Sequence, residues 1–301
     1  MQSQKGGRVR GASRLLVHIL LGIYAAVLGY VLLGLIFKFN VSADIFFGLS
    51  FALLFFTLGQ SIYELGIKKA ISFLFITGAI GFLAEVLGTN SGFPFGKYYY
   101  TDFLGEKFLG VPVVVPLVWF VIAYLCFSIV VGNLGVESRK SSDWRFFAKI
   151  ALLSAFGAVA WDFMIDPMFS SYGYWVWTGQ FIPLPELEGI PLTNFVGWFV
   201  LITLMILVSL YAIRGINSEN GPSLRVRRNN LDSVIAYVLL LIDGAIANYS
   251  LGNYAVIGLG LISMLAFLLI SSHGIRYMSR KDAETLRIAD ESKSKMLGTS
   301  E

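Results

Sequence analysis

Eight long apolar blocks dominate this chain, and they constrain its fold more than any other feature. They fall at 15–37, 45–63, 70–87, 111–131, 146–165, 190–213, 231–248 and 254–272. Each is close to the ~20 residues that cross the hydrocarbon core of a bilayer as a helix. Inside lipid the backbone must satisfy its own hydrogen bonds, so each block is assigned as a helix. The expected fold is an all-α integral membrane protein with about eight transmembrane helices. The first block is too long for the core of a signal peptide, and no small-residue cleavage site follows it, so it is read as a span. Only 14% of residues are charged, where a soluble domain carries about 25%.

Charge distribution orients the spans. With the N-terminus inside, of the 23 Lys and Arg only Lys38, Lys97 and Lys107 fall on the outer side. The positive-inside rule therefore predicts cytoplasmic N- and C-termini in a cell (cytoplasmic) membrane. Residues 1–14 read as a basic cytoplasmic N-terminus, 15–275 as the transmembrane domain, and 276–301 as a charged cytoplasmic tail. The basic inner loops are topology signals, not a nucleic-acid surface. The lone Cys126 and the isolated His18 and His273 supply neither a disulfide framework nor a metal centre. No Walker loop, dinucleotide fingerprint, HExxH or nucleophile elbow occurs. No metal or cofactor is expected.

Within the domain one pattern occurs twice. An apolar run with an acid, Glu85, leads into a loop of Gly, Pro and aromatics, and a second run opens at Gly110-Val111-Pro112 and carries Trp119-Phe120. Asp162, then Gly189-Ile190-Pro191 and Trp198-Phe199, repeat it. The Asp162–Gly173 spacing equals the Glu85–Gly96 spacing, Tyr100-Thr101 answers to Trp177-Thr178, and the second loop is two residues longer. The spacing predicts an internal helix–loop–helix repeat, with units at about 70–133 and 146–213. Both units run inside to outside, so the predicted repeat is parallel, with a pseudo-twofold axis along the membrane normal.

The acids are the chemistry-bearing residues. A carboxylate inside a span costs ~2.5–3.5 kcal/mol at the centre, so it is a functional candidate by default. Glu85 and Asp162 fall at equal depth near the outer ends of their spans, Asp166 shares a helix face with Asp162, and Asp243 falls in the same outer third. A dry, aromatic-lined site favours a neutral acid, which is a proton donor for an apolar substrate. Glu85, Asp162 and Asp166 are the candidate catalytic residues. Tyr98, Tyr100, Trp119, Trp161, Tyr174, Asn194, Trp198 and Asp243 are the candidate substrate-binding residues, with aromatic faces worth about 0.5–2 kcal/mol per good contact to a cation. A purely structural reading stands beside this one. Glu85 pairs with Lys97 or is hydrated, Asp162 and Asp166 cap loop backbone, Asn194 holds the loop, and the aromatics collect at the membrane interface. The prolines and Gly96 read as turn chemistry.

At Glu85, Gly88-Thr89, Gly92-Phe93-Pro94-Phe95-Gly96-Lys97-Tyr98, Gly105, Gly110-Val111-Pro112 and Pro116-Leu117-Val118-Trp119, the chain resembles the carotenoid biosynthesis membrane proteins. That family includes bisanhydrobacterioruberin hydratase and the gamma-carotene 1'-hydroxylase/hydratase. The segment Trp161-Asp162-Phe163-Met164-Ile165-Asp166-Pro167 is similar too, and the resemblance covers about 70–212. It implies a cofactor-independent hydro-lyase of an archaeal or bacterial cytoplasmic membrane. Such an enzyme adds water to the terminal C=C of an acyclic carotenoid to give a tertiary alcohol. The implied partners are the bilayer, the acyclic carotenoid and other carotenoid-pathway enzymes. Two other classes share the same features: a carotenoid cyclase or isomerase, and a non-enzymatic lipid or carotenoid carrier or transporter.

Overall fold

The structure, a computed structural model, describes residues 2–41, 43–133, 144–179, 182–214, 216 and 231–272. The charged tail at 276–301 and most of the basic inner segments lie outside these residues. The described chain forms eight helices, every one long and apolar enough to cross a membrane. They are α1 (Gln2–Phe37), α2 (Ala43–Leu65), α3 (Ile67–Ser91), α4 (Val115–Asn133), α5 (Trp144–Ser171), α6 (Leu192–Arg214), α7 (Leu231–Leu251) and α8 (Tyr254–Ser272). The protein is an all-α multi-pass membrane protein. Helix α1 also continues back through the basic N-terminal segment, although its span begins at Arg14.

Helix α4 is the centre of the bundle. Every residue from Trp119 to Gly132 is buried, as expected for a helix apolar on all faces. It packs against α2, α3, α5, α6 and α7. Around it, α3 packs on α4 and α6, and α5 packs on α4, α6 and α7. Phe267 and Ser263 of α8 reach Gly157 and the Ala160 carbonyl of α5.

The two aromatic loops are more ordered than their Gly and Pro content suggests. Strand β1 (Lys97–Tyr100) pairs antiparallel with β4 (Trp175–Thr178), so the first loop is bonded to the second. Two small hairpins follow: β2 (Lys107–Phe108) with β3 (Val111–Pro112), and β5 (Pro183–Leu184) with β6 (Ile190–Pro191). The two segments matched in sequence thus contain helix, strand, hairpin and helix in the same order. In the β1–β4 register Tyr99 lies opposite Val176, which is also its counterpart in the sequence match. The loops are tied again by Thr101, whose N–H donates to the Tyr174 carbonyl (3.0 Å) and whose hydroxyl donates to the Gly173 carbonyl (2.7 Å).

Turn geometry makes this pairing possible. Helix α3 ends at Gly92, whose left-handed φ of 82° suits a residue without Cβ, and whose N–H donates to the Gly88 carbonyl. Gly96, at φ 117°, starts β1 against Pro191 of β6; a Cβ there would stand 3.0 Å from the proline ring.

Candidate active site

Glu85 lies on α3 between two glycines one turn away on either side. Gly81, Glu85 and Gly88 share one helix face by the i, i+4, i+7 rule. A Cβ on Gly81 would fall 2.5 Å from the Trp119 indole, and one on Gly88 2.9 Å from Phe95 and 3.0 Å from Tyr98. The missing side chains therefore let three rings press against the helix around the acid. The Tyr98 hydroxyl donates to Glu85 Oε2, the Tyr100 hydroxyl donates to the same oxygen at 2.8 Å, and Trp119 Nε1 donates to Oε1 at 2.9 Å. Tyr98 and Tyr100 are the inward residues of β1, because alternate residues of a strand face the same side. Burial, and after it the neighbouring Glu85 charge, hold both phenols well above the ordinary tyrosine range, so they stay O–H donors.

Asp162 and Asp166 stand one turn apart on α5 and are bridged by a single amide. Asn194, in the first turn of α6, donates from Nδ2 to Asp162 Oδ2 at 3.0 Å and to Asp166 Oδ2. Trp175 of β4 donates from Nε1 to Asp166 Oδ1 at 2.8 Å. The exposures of Glu85, Asp162, Asp166 and Asn194 are 5%, 1%, 2% and 3%, too low for hydration to replace these partners.

The two acidic groups belong to one site. Tyr100, bonded to Glu85, packs edge-on against Trp175, bonded to Asp166, with ring centroids 5.9 Å apart. On the other side Trp119, also bonded to Glu85, lies 4.1 Å from Trp198, which meets Trp161 at 6.0 Å. Tyr98 meets Trp177 at 5.0 Å. Glu85 is close enough to both aspartates to interact electrostatically with them. The β1–β4 sheet closes one end of this enclosure and supplies hydrogen-bond donors to both acidic groups.

Most residues singled out from the sequence meet here: Glu85, Asp162, Asp166, Tyr98, Tyr100, Trp119, Trp161, Asn194 and Trp198. Two do not. Tyr174 rests against Phe169 and Phe103, with centroids at 4.8 and 5.9 Å, because strand alternation turns Trp175 and Trp177 inward instead. Asp243 is half-buried on α7, near Tyr24 and Tyr172. The physical reason lies in α5. Gly157, Ala160 and Met164 face α7 and α8, about half a turn round the helix from Asp162 and Asp166. The predicted depth of Asp243 matches that of the other acids, but azimuth separates it from them. The alternative pairing of Glu85 with Lys97 is not formed; Tyr98, Tyr100 and Trp119 occupy the carboxyl oxygens.

Trp175 is a site residue that sequence reasoning passed over among the other aromatics. Its signal is the alternating run Trp175-Val176-Trp177, which marks a strand with one indole-lined face. Glu64 falls just past the apolar block 45–63, yet it lies inside α2. There it accepts from Gln60 (2.5 Å), Tyr124 (2.5 Å) and Ser128 (3.0 Å), and Ser128 in turn bonds Ser233 of α7 (2.8 Å). Among the described residues, no three of His, Cys, Asp and Glu are grouped as a metal site would require.

A bundle of membrane-spanning helices that encloses a buried triad of acids under an aromatic sheet belongs to the class of polytopic membrane proteins with a buried acidic site. More particularly, the family model described as carotenoid biosynthesis protein matches residues 39–267, and the chain belongs to that family. A curated relative, bisanhydrobacterioruberin hydratase of Haloarcula japonica, is 26% identical over 165 residues, which cover 52% of this chain and 49% of that protein. The chain thus spans about half the length of the curated relative it matches. No solved structure matches it.

Proposed function

We propose that this protein is a carotenoid hydratase, a hydro-lyase that adds water by acid catalysis to the terminal C=C of an acyclic carotenoid and yields a tertiary alcohol. The observation that carries this reading is the burial of Glu85, Asp162 and Asp166 in one aromatic enclosure. The name of the 26% identical relative points to the same reaction class.

The chemistry suits these groups. Protonation of a trisubstituted alkene at its less substituted carbon leaves a tertiary cation. Water then bonds to the cationic tertiary carbon and sheds a proton to a carboxylate. The step needs an acid that can give a proton, negative charge and π faces near the cation, and walls that keep bulk water out. The carboxyl groups supply the first two, and the rings of Trp119, Trp198 and Trp161 supply π faces and walls. No other reactant is consumed, and nothing is oxidised or reduced.

The distribution of Lys and Arg supports a site near the extracytoplasmic end of the bundle, with both termini cytoplasmic. The two matched segments are read as parallel repeats. The Tyr99–Val176 register and the contact between the counterparts Trp119 and Trp198 support that reading.

The test is mass spectrometry of pigments from a host that makes an acyclic carotenoid, with and without this chain. A new pigment heavier by one water is the expected result. A rearranged product of unchanged mass would replace the proposal with a cyclase or isomerase, and binding without conversion would replace it with a carrier.

A further inference from the structure

The three acids of the site differ in how their oxygens are occupied. Glu85 accepts at both: Oε2 from Tyr98 and Tyr100, and Oε1 from Trp119. An indole N–H can only donate, and the phenols remain protonated, so three donors converge on this carboxyl. Asp166 also accepts at both oxygens, from Trp175 at Oδ1 and from Asn194 at Oδ2. Asp162 is different. Its Oδ2 accepts from Asn194, but Oδ1 is buried and has no hydrogen-bond partner among the described residues.

We infer that Asp162 is the proton donor of the reaction, through Oδ1, and that Glu85 is a standing carboxylate that stabilises the cation. This rests on the hydratase reading above. A buried carboxylate oxygen facing no donor is an unfavourable arrangement, and an O–H aimed at a substrate π bond removes it. Asn194 makes the choice of atom. One amide group donates to Oδ2 of each aspartate, which commits those two oxygens as acceptors. Donors already occupy the remaining oxygen of Asp166 and both of Glu85. Asp162 Oδ1 is therefore the one oxygen of the triad with no donor upon it.

The step balances. The Asp162 O–H bond breaks and a C–H bond forms at the less substituted alkene carbon, while the π electron pair leaves the tertiary carbon positive. The oxygen of water bonds to that carbon. The proton that water sheds goes to the Asp162–Asp166 pair, which Asn194 holds together, and the acid is restored. One water is consumed per turnover.

The test uses the full-length protein in membranes, an acyclic carotenoid, and a dimethylammonium analogue whose nitrogen replaces the tertiary carbon of the acyclic end. Asp162→Asn is expected to lose about 10²–10⁴-fold in turnover while binding the ammonium analogue like the unaltered protein. Glu85→Gln is expected to bind that analogue at least about tenfold more weakly. Both variants are expected to bind the neutral carotenoid normally, which shows that they are folded. Retained turnover in Asp162→Asn overturns the assignment while leaving the hydratase reading intact. So does a Glu85→Gln variant that is inactive yet binds the ammonium analogue normally, since Glu85 would then be the acid. An unaltered protein that hydrates no acyclic carotenoid overturns the hydratase reading and this inference together.

Discussion

Replacing Gly81 with alanine tests how tightly the acid is held. The added Cβ would sit 2.5 Å from Cδ1 and Cγ of Trp119 and 2.9 Å from its Cβ. Ordinary carbon contacts lie at about 3.5–4.0 Å, so the indole must retreat by about 1 Å. The Trp119 Nε1 to Glu85 Oε1 bond, now 2.9 Å, would stretch beyond hydrogen-bonding range. Overpacking costs about 1–3 kcal/mol and the lost bond to a charged group about 1.5–3 kcal/mol. The better helix propensity of alanine returns about 1 kcal/mol. A net loss of roughly 1.5–5 kcal/mol follows, together with a fall in turnover as Trp119 leaves both Glu85 and Trp198. Gly78, on the same helix, is the control: a Cβ there meets the Pro116 carbonyl at 3.5 Å, an ordinary contact, so Gly78→Ala should be neutral or slightly stabilising. The assay is thermal unfolding in detergent, read alongside carotenoid conversion. A Gly81→Ala protein as stable and as active as Gly78→Ala would refute the view that Gly81 pins Trp119 to the acid.

Two further outcomes follow from the packing. The phenols of Tyr98 and Tyr100 ionise at higher pH in the folded protein than the ~10 of an unfolded chain. The unfolded state therefore sheds those protons first, and stability is full below about pH 10 and falls as pH rises above it. Replacing both tyrosines with phenylalanine should flatten that alkaline loss in unfolding measurements, and an unchanged slope would count against their burial. Glu64→Ala should remove about 1–3 kcal/mol, because it takes away the carboxylate that the buried Tyr124 hydroxyl donates to. Turnover per folded molecule should not change, since Glu64 precedes α3 and Glu85 lies about 27 Å further along that helix. A fall in turnover without a fall in stability would contradict that separation.

Length and hydropathy alone settled the eight spans, because lipid leaves a backbone of this composition only one way to bond itself. The carboxyl-bearing positions were equally legible: an acid in an apolar run stands out for its insertion cost, and the spacing match singled out Glu85 and Asp162. Tertiary structure decided the rest. The pairing of β1 with β4 is non-local, and no periodicity within either loop specifies its partner. That pairing brings Tyr100 and Trp175 together over the two acidic groups. Asp243 matched the other acids in depth, but the rotation of α5 turns Asp162 and Asp166 toward α6 and away from α7. Glu64 resembled a loop residue until α4 brought Tyr124 and Ser128 to it. Distance along a helix can be counted in residues. Which way its faces turn, and which donors reach each oxygen, is set by packing among segments far apart in the chain.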